Sequence, residues 1–136
     1  MKNKKVILIS GVMGHIGYAL AHYLSKENYR IYGIYNKTID KLKFRELKKN
    51  GVTFIQNDLS DKKKLFKIIK KLNISDCVYA AGIAHDSIAK NKPEETLKVN
   101  ALYLQYFIEM NKKKIIDKLI YISTGSVFQN IKSNSY

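Results

Sequence analysis

Lys5-Val6-Ile7-Leu8-Ile9-Ser10-Gly11-Val12-Met13-Gly14-His15-Ile16-Gly17 is the stretch on which the reading of this chain turns. It begins as an unbroken apolar run of strand length and passes straight into three glycines. From Ile16 the spacing becomes helical, with Ile16, Ala19, Leu20, Tyr23 and Leu24 at i, i+3, i+4, i+7 and i+8. In a strand–turn–helix unit of this kind one glycine permits the tight turn and one admits a pyrophosphate to the backbone. The third lets the helix lie close on the strand. The free N–H groups of the first helical turn then hold the anion. Gly11, Met13, Gly14, His15, Ile16 and Gly17 are therefore candidate nucleotide-binding residues. No Gly-Lys-Ser/Thr ending follows, which excludes an ATP-hydrolysing P-loop.

Working outward, strand-like runs keep alternating with helical patterns. A second strand is predicted over Arg30–Tyr35. Thr38 can cap a lysine-rich helix carrying Ile39, Leu42 and Leu47, and Gly51 can stop it. Val52–Gln56 reads as strand three, and Ser60 and Asp61 open a helix through Leu72 with Leu65, Ile69 and Leu72 inward. Strand four is Asp76–Ala80, followed by a loop from Ala81 to Lys92. Pro93, Glu94 and Glu95 suit a helix start and Lys112–Lys114 its end, with Leu97, Ala101, Leu104 and Ile108 along one face. Leu119–Ile122 is strand five. Five strands alternating with four helices imply an α/β fold with a doubly wound parallel sheet, Rossmann-like. Its ligand would lie beyond the carboxyl ends of the strands, where the loops after strands one, four and five meet.

With 136 residues the chain is one domain's worth, and 46% hydrophobic residues exclude a disordered segment. No apolar run approaches the 18 residues of a membrane span, and the basic start Met1–Lys5 is followed by too short an apolar run for a signal peptide. The lone Cys77 provides no disulfide framework, and three scattered histidines with it make no metal site. A cytoplasmic protein is expected. The formal charge of +14 comes from 25 basic residues of which only Arg30 and Arg45 are arginine. Arginine forks are the usual grip on phosphates and base edges, and the lysines cluster on helix outer faces, so dedicated nucleic-acid binding is not expected.

The form Ser10-Gly-x-x-Gly-x-x-Gly, with Gly14-His15-Ile16-Gly17 at its end, resembles the short-chain dehydrogenase/reductase superfamily. It is most similar to the extended branch of NAD(P)-dependent sugar-nucleotide epimerases, dehydratases and reductases. The resemblance continues in register along the chain. It implies that Asp58-Leu59 after strand three borders the adenine and that Ala80-Ala81-Gly82 lets the middle of the cofactor pass over the backbone. It further implies that Asn100 is the helix asparagine of that family and that Ser123-Thr124-Gly125-Ser126-Val127-Phe128 is its segment after strand five. Each match also has a plain structural reading: Asp58 as a helix start, Asn100 as a satisfied polar residue, Ser123 and Thr124 as loop hydroxyls.

An NAD-specific fold usually ends strand two with an acid that accepts the ribose hydroxyls. Here that position is Tyr35, followed by Asn36 and Lys37, with no carboxylate nearby in sequence. NADP is the expected cofactor ahead of NAD, with Lys37 attracting the 2′-phosphate, unless Lys37 is one more surface lysine. The resemblance assigns Thr124 to polarise a substrate hydroxyl. Tyr136, in Ser133-Asn134-Ser135-Tyr136, is either the proton-exchanging tyrosine of a Tyr-x-x-x-Lys segment or part of a polar loop. An isolated phenol is a poor base at neutral pH, and the paired lysine lies past the last residue given. The expectation is thus the N-terminal, cofactor-binding portion of a longer enzyme, cut before the last strands and the sugar-nucleotide region. Such a portion would bind cofactor weakly, catalyse nothing alone, and self-associate through apolar surface left at strand five. The resemblance also implies a nucleotide-sugar substrate and a homodimer. The rival reading is a non-catalytic NAD(P)-binding sensor that lacks the Tyr-Lys pair.

Overall fold

The structure, a computed structural model, describes residues 4–123. Twelve segments follow in order: β1 (Lys5–Ser10), α1 (His15–Ser25), β2 (Tyr29–Tyr35), α2 (Lys41–Lys49), β3 (Thr53–Gln56) and α3 (Lys62–Leu72). Then come β4 (Asp76–Tyr79), α4 (Asp86–Asn91), α5 (Pro93–Leu97), a π-helical segment (Lys98–Leu102), α6 (Leu104–Lys112) and β5 (Lys118–Tyr121). All strand pairs are parallel and the order is β3-β2-β1-β4-β5. The expected Rossmann-like sheet is present. β1 is central, with Ile7 beside Ile31 of β2 and Ile9 beside Val78 of β4.

Because successive strand side chains point to opposite faces, β1 feeds two cores. Leu8 joins Leu65 and Ile69 of α3 and Phe107 and Met110 of α6, whereas Ile7 and Ile9 join Ala21 of α1 and Leu47 of α2. The chain winds from β1 outward to β3 and then crosses back to β4. The reversal of direction therefore falls between β1 and β4, the place where such sheets leave a crevice for a ligand.

Several helix details depart from the sequence expectation. α1 does not rest on the Ile16/Tyr23 stripe: Ile16 is 50% and Tyr23 65% exposed, while Gly17 and Ala21 are buried. Close approach of helix and strand needs the smallest residues, and Gly17 and Ala21, four apart, provide that line. α2 is capped by Asp40 and not by Thr38, the carboxylate accepting from the N–H groups of Leu42 and Lys43. A side-chain oxygen at this position contributes about 1 kcal/mol to a helix. Leu42 points outward at 76% exposure, Ile39 is also exposed, at 43%, and only Leu47 of the expected trio is buried. Gly51, at φ +87°, ends the helix as expected.

The stretch expected to be a loop from Ala81 to Lys92 holds α4. In the last helical region the π-helical segment inserts a wider turn, which shifts the phase of the helix. Phe107 and Met110 are consequently the buried pair, and Leu97, Ala101 and Ile108 are exposed. At the sheet edge β5 leaves Ile120 and Tyr121 more than 40% exposed, the apolar surface that the sequence led one to expect there.

Glu109 ties the two helices of one face together, its carboxylate 2.6 Å from the ammonium groups of both Lys62 and Lys113. The Lys113 and Lys62 hydrogen bonds hold its carboxyl down, to about 2 from an ordinary 4.5. A depressed folded value means that stability is present above the unfolded value and is lost as pH falls through the folded one. Glu109→Gln is therefore expected to lower the denaturant midpoint at neutral pH, with the gap to wild type closing between about pH 4.5 and pH 2. Parallel urea titrations across that range check it, and a gap that stays constant would contradict it.

Candidate functional site

The glycine loop is fixed by contacts that admit no side chain. Gly11 has φ +69°, and a Cβ there would stand 2.7 Å from the Ala81 backbone. A Cβ on Gly17 would stand 2.3 Å from the Gly11 carbonyl oxygen. The end of β1, the end of β4 and the start of α1 thus touch backbone to backbone. Gly14, in contrast, is exposed, and a Cβ there would meet only the Gly11 oxygen, at 3.1 Å. It is the N-cap residue of α1, whose first turn carries neither a side-chain cap nor an acidic residue. The N–H groups at this end are left for an external acceptor, and the helix dipole adds positive potential. His15 and Ile16 are exposed beside Gly14, and Met13 is half-buried.

Across the crevice, Ala80, Ala81 and Gly82 follow β4. The Ala81 N–H donates to the hydroxyl of the fully buried Ser10 at 3.4 Å, which ties this strand end to β1. Asn100, on the π-helical segment, clamps the next residue from both sides. Its carbonyl accepts from the Ile83 N–H at 2.8 Å and its amide donates to the Ile83 oxygen at 3.0 Å. Both ends of the side chain are thereby engaged with the backbone, so Asn100 shapes the wall of the crevice. The π turn itself is tied down by two tyrosines, Tyr79 donating to the Val99 oxygen at 2.5 Å and Tyr121 to the Asn100 oxygen at 3.2 Å. Burial raises the Tyr79 phenol above its ordinary range, with Tyr121 and Tyr103 adding to the effect. It stays a neutral donor. The cleft between these walls has a volume of about 450 Å3, and Gly14, Ile16, Ala81, Asn100, Tyr121 and Ser123 are among its lining residues.

A second cluster lies at the ends of β2 and β3. Tyr35, at the position where an acid was sought, packs its ring edge-on against Phe44 and Phe54, with centroids 6.3 and 6.2 Å away. Asn36 and Lys37 are exposed, and Leu59 is buried. Asn36 donates to Asp58 at 3.2 Å, and the other oxygen of Asp58 accepts from the Ser60 N–H at 2.9 Å. The Ser60 hydrogen bonds, aided by Asn36 and Lys37, hold the Asp58 carboxyl below the usual carboxylate range. The sequence shows no carboxylate at the end of β2 itself, but the fold brings in Asp58 from the loop after β3 and Asp40 from the start of α2. Each is already turned onto backbone donors.

The structure thus gathers Gly14, His15, Ile16, Ala80, Ala81, Gly82, Asn100 and Ser123 around one cleft. Gly11, Gly17 and Met13 lie beneath or behind it, and Asn36, Lys37, Asp58 and Leu59 stand apart at the β2–β3 corner. Thr124 and Tyr136 fall outside the described residues. One residue that the sequence did not single out reaches the glycine loop. From α2, the Lys43 ammonium donates to the Met13 oxygen at 3.3 Å and lies 5.4 Å from the centre of the Tyr18 ring. Nothing in the sequence distinguished it from the neighbouring lysines, because only the packing of α2 aims it inward.

The sequence profile of the NAD dependent epimerase/dehydratase family matches residues 7–134. A UDP-glucuronate 4-epimerase from Thermodesulfobacterium geofontis is 27% identical over 128 residues, which cover 89% of this chain and 40% of that protein. An uncharacterized membrane protein of Methanocaldococcus jannaschii is 28% identical over 123 residues, covering 88% of this chain and 36% of that one. No helix among the described residues is long and apolar enough to cross a membrane. Among solved structures, a UDP-glucose 4-epimerase from Bifidobacterium longum in complex with NAD+ and UDP superposes with a TM-score of 0.82 at 19% identity. It covers 92% of this chain and 38% of that one. The chain therefore spans well under half the length of the relatives it matches.

Proposed function

Since the chain belongs to the NAD dependent epimerase/dehydratase family, we propose that residues 1–136 form the dinucleotide-binding part of a sugar-nucleotide epimerase, dehydratase or reductase. Within that family the form of the glycine loop favours the extended short-chain dehydrogenase/reductase type. The observation that carries this reading is the cleft at the β1–β4 reversal, walled by the glycine loop on one side and Ala80–Gly82 on the other. The residues present fit the cofactor. Gly14 leaves the helix N-terminus open, Gly82 adds no side chain at the opposite wall, and neither first-turn acid nor side-chain cap competes for the N–H groups.

When bound, the nicotinamide supplies a site that takes hydride from a sugar carbon and returns it. The chain's own residues then divide the remaining work. Gly11 and Gly17 hold the loop and helix in contact, and the N–H groups of His15 and Ile16 hold the pyrophosphate, the Gly14 N–H being bonded to the Gly11 oxygen. Asn100 keeps the Ile83 backbone in place beside the cleft, and Asp58 and Leu59 border the adenine. Thr124 polarises the sugar hydroxyl, and Tyr136 exchanges its proton. We place the protein in the cytoplasm, acting on a nucleotide sugar, as a homodimer.

We further propose a preference for NADP(H). Tyr35 cannot offer the carboxylate that would hold the ribose hydroxyls and repel a 2′-phosphate, and Lys37 stands exposed just after it. The enzymatic reading is tested by incubating the full-length protein with oxidised cofactor and a panel of UDP- and GDP-sugars. The expected result is conversion of at least one sugar with transient or net absorbance at 340 nm. Cofactor binding with no turnover of any sugar would favour a non-catalytic sensor instead.

A further inference from the structure

We infer that Lys43 is the residue that discriminates NADP(H) from NAD(H), by exchanging its hold on the Met13 carbonyl for the cofactor's 2′-phosphate. This rests on the proposal that the glycine loop binds a dinucleotide. The site is built from three observations. First, Lys43 is inserted at the glycine loop itself, its ammonium 3.3 Å from the oxygen of Met13, between Gly11 and Gly14. The same loop is pinned to β2 by the Val12 N–H on the Ile34 oxygen at 3.2 Å. Lys43 therefore stands where the loop meets the end of β2, the place in such folds where the adenosine ribose is read.

Second, its only hydrogen bond among the described residues goes to a neutral carbonyl. The ammonium also lies over the face of Tyr18 and forms a long ion pair, 4.0 Å, with one oxygen of Asp40. The other oxygen of that carboxylate caps α2. An ammonium hydrogen-bonded only to a carbonyl gains a charge-assisted bond when a phosphate oxygen replaces that carbonyl.

Third, the other groups at this corner are either bonded within the fold or stand on an open turn. Tyr35 is folded against Phe44 and Phe54, and Asp58 is bonded to Asn36 and the Ser60 N–H. Lys37 lies in the field of Asp58, whereas the side chain of Lys43, about one-third exposed, is held by the packing of α2 against α1. A lysine already directed at the loop loses less side-chain freedom on binding than one on an open turn.

The test is a fluorescence titration of the full-length protein with NADPH and with NADH, repeated for Lys43→Gln and Lys37→Gln. NADH binding serves as the folding control. The expected result is that Lys43→Gln weakens NADPH about tenfold or more and leaves NADH within about twofold, with a smaller change for Lys37→Gln. An NADPH-to-NADH ratio that is unchanged by Lys43→Gln, while both cofactors still bind, would overturn the role of Lys43 and leave the dinucleotide site intact. A larger loss of NADPH with Lys37→Gln than with Lys43→Gln would also overturn it. Failure of the wild-type protein to bind either cofactor would instead overturn the dinucleotide reading and this inference with it.

Discussion

Gly17→Ala is expected to destabilise the protein by about 3 kcal/mol, at the upper end of what overpacking costs. The sign is what makes the prediction informative. In an exposed helix interior alanine is favoured over glycine by about 1 kcal/mol, so on propensity alone this change should stabilise. Here the added carbon would stand 2.3 Å from the Gly11 oxygen, 2.9 Å from its carbonyl carbon and 3.0 Å from the Val12 Cα. All three are backbone atoms and cannot swing aside. α1 must move outward, which opens the line of Gly17 and Ala21 and disturbs the N–H groups at its start. Chemical denaturation of the variant measures the loss. A midpoint equal to or above that of wild type would show that the helix does not sit on the loop as described.

Asn100→Ala is expected to loosen the wall of the cleft beyond β4. The change deletes both hydrogen bonds to Ile83 and leaves a half-buried backbone N–H and C=O to find water. That costs about 2 kcal/mol of local stability, which corresponds to roughly 30-fold faster opening. Hydrogen exchange at the Ile83 amide reads it directly. Asn100→Asp separates the two bonds, because it keeps an acceptor for the Ile83 N–H but loses the donor to the Ile83 oxygen. Intermediate protection is expected for it, and unchanged exchange in both variants would mean that the clamp does not hold this loop.

The sheet was legible because buried parallel strands are written as continuous apolar runs, as in Val6–Ile9 of β1 and Cys77–Tyr79 of β4. The glycine loop was legible because its three glycines stand between an apolar strand and a periodic helix, where Gly11 and Gly17 meet backbone and Gly14 leaves the helix start open. Helix faces were not. The reading of α1 followed the large apolar residues Ile16 and Tyr23, whereas the contact at Gly17 selects the small ones. In the last helical region the π turn at Lys98–Leu102 breaks the 3.6-residue period, so the apolar spacing on its two sides falls on different faces. Asp40 rather than Thr38 caps α2, and both residue types are good caps, so the sequence offered no arbiter. At the site, the roles of Asn36 and Asp58 as hydrogen-bonded partners depend on β2 lying beside β3, which no local pattern shows. Lys43 is the clearest case, one lysine among many until α2 packs it against the glycine loop.

If an anionic dinucleotide rests on the open N-terminus of α1, Gly14→Asp should remove its seat. Gly14 is the N-cap residue, with φ −70° and ψ 169°, a conformation an aspartate adopts readily and in which it caps a helix well. Its Cβ would meet the Gly11 carbonyl oxygen at 3.1 Å, a tight contact relieved by a shift of a few tenths of an ångström. The cap gained offsets that cost, so the variant should fold with a melting temperature close to that of wild type, yet place a carboxylate where the pyrophosphate belongs. Titration calorimetry with NADPH and NADH should show saturable binding to the wild-type protein and loss of at least about tenfold in affinity for both with Gly14→Asp, at a melting temperature close to that of wild type. Equal affinities in the two proteins, or no binding to wild type, would contradict the account.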